Sequence, residues 1–582
     1  MNLLNKVNSP KDIKGMSVDE LKTLASEIRD VLINRVNETG GHMAPNLGMV
    51  EATLALHYVF NSPVDKFVFD VSHQSYVHKI LTGRKEGFID PALYSKYTGY
   101  TNPGESEHDF FTVGHTSTAV SLASGLAKGR DLKGESGNVI AILGDGSLSG
   151  GEAMEGLNVA ATLGSNFIVL FNDNDMSIAP NEGGLYKHLK ELRDSKGQSA
   201  NNYFKAMGLD YLFVEDGNNV ESLIEAFNKV KDSQTPVVIH MVTVKGKGLA
   251  EAEVDPESYH YIMGKHFDVD AYMKEEHFDD IIANHLLEKM KQDPTVVGLT
   301  AGVPSIGGFN PERRKQAGKQ FVDVGIAEEH MVAMAAGIAK NGGKPVILDA
   351  ATFLQRTYDQ LTQDMALNNN AVTILSFPLG GGISPMDATH SSAFDMAMMN
   401  TIPNLRVLSP VTKQELLDML DWSLEQTEGP VMIRVPGGTV QTYETGKAFN
   451  GDMSNQVTEK GNTVAILGLG AFYDLGLKTK AALKSELGID ATLINPRLSS
   501  EVDAKVLEGL KADHKLVITL EDGVLDGGFG EKVARFYGTS HMKVLNIGMT
   551  KEVNDRVPMD ELIARYHLSP ELIVADVKKV LA

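Results

Sequence analysis

Cysteine is absent from this chain, which excludes disulfides, zinc ribbons, iron–sulfur clusters and thiol nucleophiles and suits a reducing compartment. Basic charge is in deficit: 54 Lys and Arg stand against 76 Asp and Glu, a formal net charge of -22. That balance argues against a nucleic-acid groove or an anionic membrane surface and leaves anionic ligands only local pockets. No apolar run approaches the length needed to span a bilayer, and the opening MNLLNKVNSPKDIKG lacks the apolar core and cleavage site of a secretory signal. These absences predict a soluble, cytoplasmic protein with neither nucleic acid nor membrane as partner. What is present suffices for sizeable cores: 582 residues, 42% of them hydrophobic, are enough for about three to four domains.

Ser17-Val18-Asp19-Glu20 reads as a capping box opening a helix with Leu21, Leu24, Ile28 and Leu32 on one face. Short apolar runs then alternate with helical patterns. VIAIL (139–143), FIVLF (167–171) and PVVIHMV (236–242) read as buried parallel strands. The pattern restarts after Phe278-Asp279-Asp280 with TVVGLTA, KPVILDAA, AVTILSF and VMIRV. It restarts again after a polar stretch near 441–461 with TVAILGLG, DATLIN, KLVITLED and MKVLNIG. The fold class is therefore α/β, three consecutive α/β domains with mostly parallel sheets, over 1–275, 276–440 and 441–582. The segment 180–202 is polar enough to form a mobile insertion. Gly468-Leu469-Gly470 is too short a glycine signal for dinucleotide binding and reads as a tight strand–helix turn.

Gly144-Asp145-Gly146 ends one predicted strand and Asn172-Asp173-Asn174 ends the next, where open α/β sheets bind ligands. A carboxylate from Asp145 and an amide oxygen from Asn174 at adjacent strand tips are the hard oxygens that Mg²⁺ takes together with phosphate oxygens. Gly146 permits close backbone approach to a phosphate, and a helix starting near Gly151 would aim its N-terminus there. A bare GDG is a common turn; the pairing of the two motifs carries the assignment.

That pair resembles the thiamine diphosphate signature, and the chain is similar to the 1-deoxy-D-xylulose 5-phosphate synthase family. The segments GGHMAPNLGMVEATLALHYVF, FDVSHQSYVHKILTGR, TVGHTSTAVSLASGLAKGRDL, NDNDMSIAPN, DVGIAEEHMVAMAAGIA, TFLQRTYDQ and DATHSSAFD resemble its landmarks in order along nearly the whole chain. The resemblance implies a transketolase-like fold with a C-terminal domain and a homodimer. It implies thiamine diphosphate and Mg²⁺ as cofactors, and a transferase that decarboxylates pyruvate and joins the two-carbon unit to glyceraldehyde 3-phosphate, for isoprenoid or thiamine biosynthesis. Asp145 and Asn174, with the carbonyl of Met176, would bind Mg²⁺. Gly146, Ser147, Asn174, His73, Gly114, His115, Thr116 and Lys245 would contact the cofactor. Glu328 matches the glutamate that activates it through a hydrogen bond to the aminopyrimidine ring. Phe353 would stack on that ring with Arg356 close by, and His42, His260, His390 and Asp387 match positions around the substrate.

Several positions depart from the family pattern. Ser72 replaces the usual glycine before His73, a small change, and Glu329 replaces a common glutamine. Leu379 and Gly437 stand where two phosphate-binding arginines are expected, Ala350 where a tyrosine is, and Pro45 where a serine is. The last four fall on the acceptor side, which leaves open a transketolase-like or acyloin-forming enzyme with another aldehyde acceptor or a ketose donor. Restoring both arginines is expected to improve use of glyceraldehyde 3-phosphate. A silent cofactor-binding or regulatory protein would not be expected to keep Glu328, Asp145 and Asn174.

Overall fold

The computed structural model describes residues 3–272, 274–443 and 445–582. It divides into two compact units, Met1–Lys274 with Gly325–Ala327, and Glu275–Val324 with Glu328–Ala582.

The first unit is built on a five-stranded parallel sheet in the order Lys66–Phe69, Val139–Gly144, Phe167–Asp173, Pro236–Val242, Asp210–Val214. Its strands are apolar at successive positions because both faces are covered. Ile140, Ile142, Ile168 and Leu170 pack toward the helices Val18–Thr39, Val50–Val59 and Val220–Val230. Val139, Ala141, Phe167, Val169 and Phe171 pack toward Ala119–Lys133, Gly151–Ala160 and Gly184–Asp194. The Ser17 hydroxyl accepts from the Glu20 amide, and the Glu20 carboxylate accepts from the Ser17 amide at 2.8 Å, so the first long helix starts on a full capping box.

The segment 180–202, expected as a mobile insertion, is folded instead. Gly184–Asp194 is helical and buries Tyr186, Leu189 and Leu192 against the sheet. Three apolar side chains at helical spacing outweigh the polar composition, since full burial of each contributes about 1.5–3 kcal/mol.

The second unit carries two sheets. A six-stranded parallel sheet runs in the order Arg406–Leu408, Val431–Arg434, Thr373–Phe377, Lys344–Ala350, Val296–Thr300, Phe321–Asp323. A five-stranded sheet runs Gln456–Glu459, Thr492–Asn495, Thr463–Gly468, His514–Val524, Lys543–Met549, parallel except at its first, edge strand. Gly470, at φ +54, turns the chain from strand Thr463–Gly468 into a short turn and then the helix Tyr473–Leu487. Among the described residues no helix is long and apolar enough to cross a membrane.

Candidate active site

In the first unit, Gly144 pairs in register with Asn172, which sets Asp145 beside the Asn172–Asn174 loop. Asp145 is buried, and its carboxylate accepts from Gly146 N at 2.9 Å, from Asn174 N and Met176 N at 3.2 Å each, and from Asn181 Nδ2 at 3.1 Å. Burial first, then the charge of Asp173, raises its pKa above the ordinary carboxylate range. Asn174 Oδ1 and Ser177 Oγ are buried with no hydrogen-bond partner. A Cβ on Gly146 would lie 2.9 Å from Ser177 Oγ, so glycine is what lets these two loops close. A buried carboxyl beside unpartnered neutral oxygens is a donor set that fits a hard divalent cation. Among the described residues no group of three or more His, Cys, Asp and Glu side chains is placed to hold a metal. Mg²⁺ here would draw on the Asp145 carboxylate and on neutral oxygens, as its hard-oxygen chemistry allows.

The other residues expected at the cofactor adjoin these loops. Ser147 is buried, and its carbonyl accepts from Ser117 Oγ at 2.8 Å, which ties Gly114-His115-Thr116 to the Asp145 loop. Between Gly146 and the helix at Gly151 the chain makes an extra short turn, Gly146–Ser149. Lys245 is buried, donates to the Ser177 carbonyl, and has its pKa lowered to about 8 by burial against the opposing pull of Asp145.

His42, His73 and His260 come together, with ring centroids 4.9 Å apart for His42 and His73, 5.5 Å for His42 and His260, and 5.3 Å for His73 and His260. Burial first, then the charges of Lys245, His73 and His42, hold His260 well below the usual imidazole range, so it is neutral. Buried Asn46 joins two of the three segments that carry this cluster: its Nδ2 donates to His42 O at 2.9 Å and His73 O at 2.8 Å, and its Oδ1 accepts from Tyr76 N at 2.9 Å.

Ser72 is a larger change than its size suggests. It sits at φ +66, a left-handed conformation that costs about 1–2 kcal/mol for a residue with a Cβ, yet its hydroxyl donates to Val113 O at 2.8 Å and accepts from Thr101 N at 2.9 Å. The serine thereby staples the His73 turn to Thr101 and to the loop segment entering Gly114.

In the second unit, Glu328 opens the helix Glu328–Lys340 and is buried. Arg356 Nη1 donates to Glu328 Oε2 at 3.2 Å. Burial raises the Glu328 pKa; Arg356 opposes this and Glu329 adds to it. Phe353 and His390 meet edge to face at 5.8 Å, and His390 Nδ1 lies 3.2 Å from Asp387 Oδ1. Burial works against ionisation of Asp387, but the bond to His390 and its charge prevail and hold the carboxyl down to about 2.

Sequence reasoning passed over Asp349, at the end of strand Lys344–Ala350. It is fully buried, its Oδ2 has no partner, and burial followed by the charge of Glu328 raises its pKa well above the usual range. A carboxyl raised in the folded state contributes stability that is present below its unfolded pKa and lost as pH rises toward the folded value. Asp349→Asn is therefore expected to flatten the decline in stability above pH 5. Urea unfolding at pH 8 should find it about 1–3 kcal/mol more stable than the parent, with a smaller difference at pH 5.

Gly437 also alters an expectation. A Cβ there would lie 2.9 Å from Gly381 Cα, a backbone atom with no freedom to step aside. The adjoining loop is pinned as well, because Asp522 accepts from Gly382 N at 2.9 Å and Ile383 N at 2.7 Å. An arginine at 437 cannot simply be restored.

Comparison with known proteins now bears on these loops. Residues 4–200 and 194–243 match the model described as 1-deoxy-D-xylulose-5-phosphate synthase, 277–441 the transketolase pyrimidine binding domain, and 454–573 the transketolase C-terminal domain. The 1-deoxy-D-xylulose-5-phosphate synthase of Carboxydothermus hydrogenoformans is 36% identical over 100% of this chain and 99% of its own. That of Alkaliphilus oremlandii is 37% identical over 91% of each.

The chain belongs to the 1-deoxy-D-xylulose-5-phosphate synthase family.

It is accordingly a transferase enzyme with a three-domain, transketolase-like α/β fold, in a family defined by thiamine diphosphate and Mg²⁺. Among solved structures, the transketolase from Leishmania mexicana aligns over 97% of both chains at 16% identity, with a TM-score of 0.44 that supports no further argument.

Proposed function

We propose that the protein decarboxylates pyruvate and transfers the remaining two-carbon unit to the aldehyde carbon of glyceraldehyde 3-phosphate, forming 1-deoxy-D-xylulose 5-phosphate. The observation that carries this reading is likeness to synthases of that name over the full length of both chains. Thiamine diphosphate, when bound, supplies the electron sink that decarboxylation of a 2-oxoacid requires.

The residues of the chain supply the rest. Asp145, Asn174 Oδ1 and the Met176 carbonyl would hold Mg²⁺, whereas Gly146, Ser147, Lys245, His73 and Gly114-His115-Thr116 would hold the diphosphate cofactor. Glu328, whose carboxyl pKa burial raises, is the group that would share a proton with a ring nitrogen of the cofactor. Phe353 and Arg356 would line the pyrimidine. Neutral His260, with His42 and His390, can donate to a substrate oxygen or accept a proton from it, and Asp387 orients His390. We assign domains to 1–275, 276–440 and 441–582 and the working assembly to a homodimer.

A second reading, an acceptor without a phosphate, is favoured by the packing of Gly437 on Gly381, which occupies the place of an expected arginine. Gly437→Arg is expected to lower stability by about 1–3 kcal/mol through overpacking, without improving kcat/KM for glyceraldehyde 3-phosphate. Steady-state kinetics with glyceraldehyde 3-phosphate and with D-glyceraldehyde separate the two readings. The first predicts a large preference for the phosphorylated aldehyde; equal use of both would support the second.

A further inference from the structure

We propose that Arg193 is a positioning residue for the metal loop, and that the segment Asn181–Arg193 is a clamp whose docking is coupled to loading of Mg²⁺ and thiamine diphosphate. The inference rests on the cofactor reading above but assigns a role to residues outside it.

The contacts converge from one short stretch. Arg193 Nη1 donates to Asp173 Oδ1 at 2.6 Å, and its Nη2 lies 2.9 Å from Asp175 Oδ1, so one guanidinium grips both neighbours of Asn174. Asn181 Nδ2 donates to Asp145 Oδ2 at 3.1 Å, and Tyr186 Oη donates to the Asp145 carbonyl at 3.3 Å. Three side chains of the segment thus hold the two loops from which metal ligands are drawn.

Asp173 is braced from behind as well. His240 Nε2 lies 2.8 Å from Asp173 Oδ2, and Tyr211 Oη lies 2.7 Å from His240 Nδ1. A tyrosine hydroxyl donating to Nδ1 leaves the Nε2 proton for the carboxylate, which fixes the ring tautomer. Asp173 has 0% side-chain exposure and Arg193 15%, so this pair is screened far less than a surface pair. Asp175, at φ +62, occupies a conformation disfavoured for a residue with a Cβ, and Arg193 is the cation that holds its carboxylate. Without Arg193, Asp173 and Asp175 would repel each other across Asn174, whose Oδ1 is an unpartnered buried oxygen of the loop.

A bidentate grip that orders the loop before the metal arrives lowers the ordering cost of binding, and reciprocity requires bound metal and cofactor to strengthen docking of the helix Gly184–Asp194. A purely structural Arg193 would secure the helix without this coupling.

The test uses the full chain. Calorimetric titration of Mg²⁺ with thiamine diphosphate should give a dissociation constant at least tenfold higher for Arg193→Ala. Arg193→Lys, which keeps the charge but not the fork, should fall between it and the parent, and saturating cofactor should restore kcat to within about twofold. Lys190→Ala, which breaks only an exposed pair with Asp194, should bind as the parent does. Hydrogen exchange of the parent should show added protection over 172–177 and 184–194 when Mg²⁺ and cofactor are supplied, a readout that holds even if Arg193→Ala fails to fold. Parental affinity in a folded Arg193→Ala, or unchanged exchange over 184–194 in the saturated parent, overturns the clamp alone. A parent that binds no thiamine diphosphate overturns the function proposed above and the clamp with it.

Discussion

Glu328→Gln should lose about 10²–10⁴-fold in turnover while retaining Mg²⁺ and thiamine diphosphate within a few-fold of the parental affinity. The substitution is nearly isosteric, and a glutamine oxygen still accepts from Arg356 Nη1, so the 3.2 Å contact can survive. What disappears is an ionisable carboxyl in a buried site, where burial raises its pKa against the pull of Arg356. An amide donates a hydrogen bond but cannot exchange its proton for the charge that activation requires. The apo variant should be at least as stable as the parent at pH 8, since the group removed is one whose ionised form burial disfavours. A loss confined to kcat with binding intact identifies Glu328 as an activator; full turnover would remove it from the mechanism.

Asp145→Asn should separate stability from binding. In the folded chain Oδ2 of Asp145 accepts from three donors and Oδ1 from one, Gly146 N. An asparagine placing its oxygen at the Oδ2 position keeps the three bonds and loses the one to Gly146. That loss, about 0.5–1.5 kcal/mol, is offset by removal of a carboxyl that burial disfavours, so the apo melting temperature should barely move. Metal binding should suffer far more, because the only carboxylate among the assigned ligands is gone. Mg²⁺ affinity should fall at least about 100-fold, since disturbing even outer partners of metal ligands costs 10–100-fold. In the parent, ligand at 100 times its dissociation constant stabilises by about 2.7 kcal/mol, and that increment should vanish in the variant. Thermal melts with and without Mg²⁺ and cofactor check both halves of the expectation.

How much of this was legible in the sequence depends on the distance over which each residue acts. The strands at 139–143, 167–171 and 236–242 could be read because uninterrupted apolar runs between glycine-rich turns have few alternatives, and the Ser17–Glu20 cap is local. The short edge strands Arg406–Leu408 and Gln456–Glu459 were passed over, since three or four residues of mixed polarity carry no period. The helix Gly184–Asp194 was misread because its buried stripe, Tyr186, Leu189 and Leu192, is set among eight residues that include five charged ones and His188. The Asp145–Asn174 pair stood out through motif spacing, and Glu328 through the family resemblance. Asp349, Asn46 and Arg193 did not: each takes its meaning from partners distant in sequence, such as the Asn46 bonds to His42 and His73 carbonyls or the Arg193 grip on Asp173. The packing of Gly437 against Gly381 likewise belongs to two loops that no spacing rule connects.

The most direct measurement is identification of the product when the purified protein, Mg²⁺ and thiamine diphosphate are supplied with carbon-13-labelled pyruvate and D-glyceraldehyde 3-phosphate. Labelled CO₂ from C1, together with 1-deoxy-D-xylulose 5-phosphate carrying C2 and C3 of pyruvate, is the result predicted, with both signals lost in Glu328→Gln. Cofactor binding with CO₂ release but no five-carbon phosphate, or label joined only to an unphosphorylated aldehyde, would contradict the assigned acceptor.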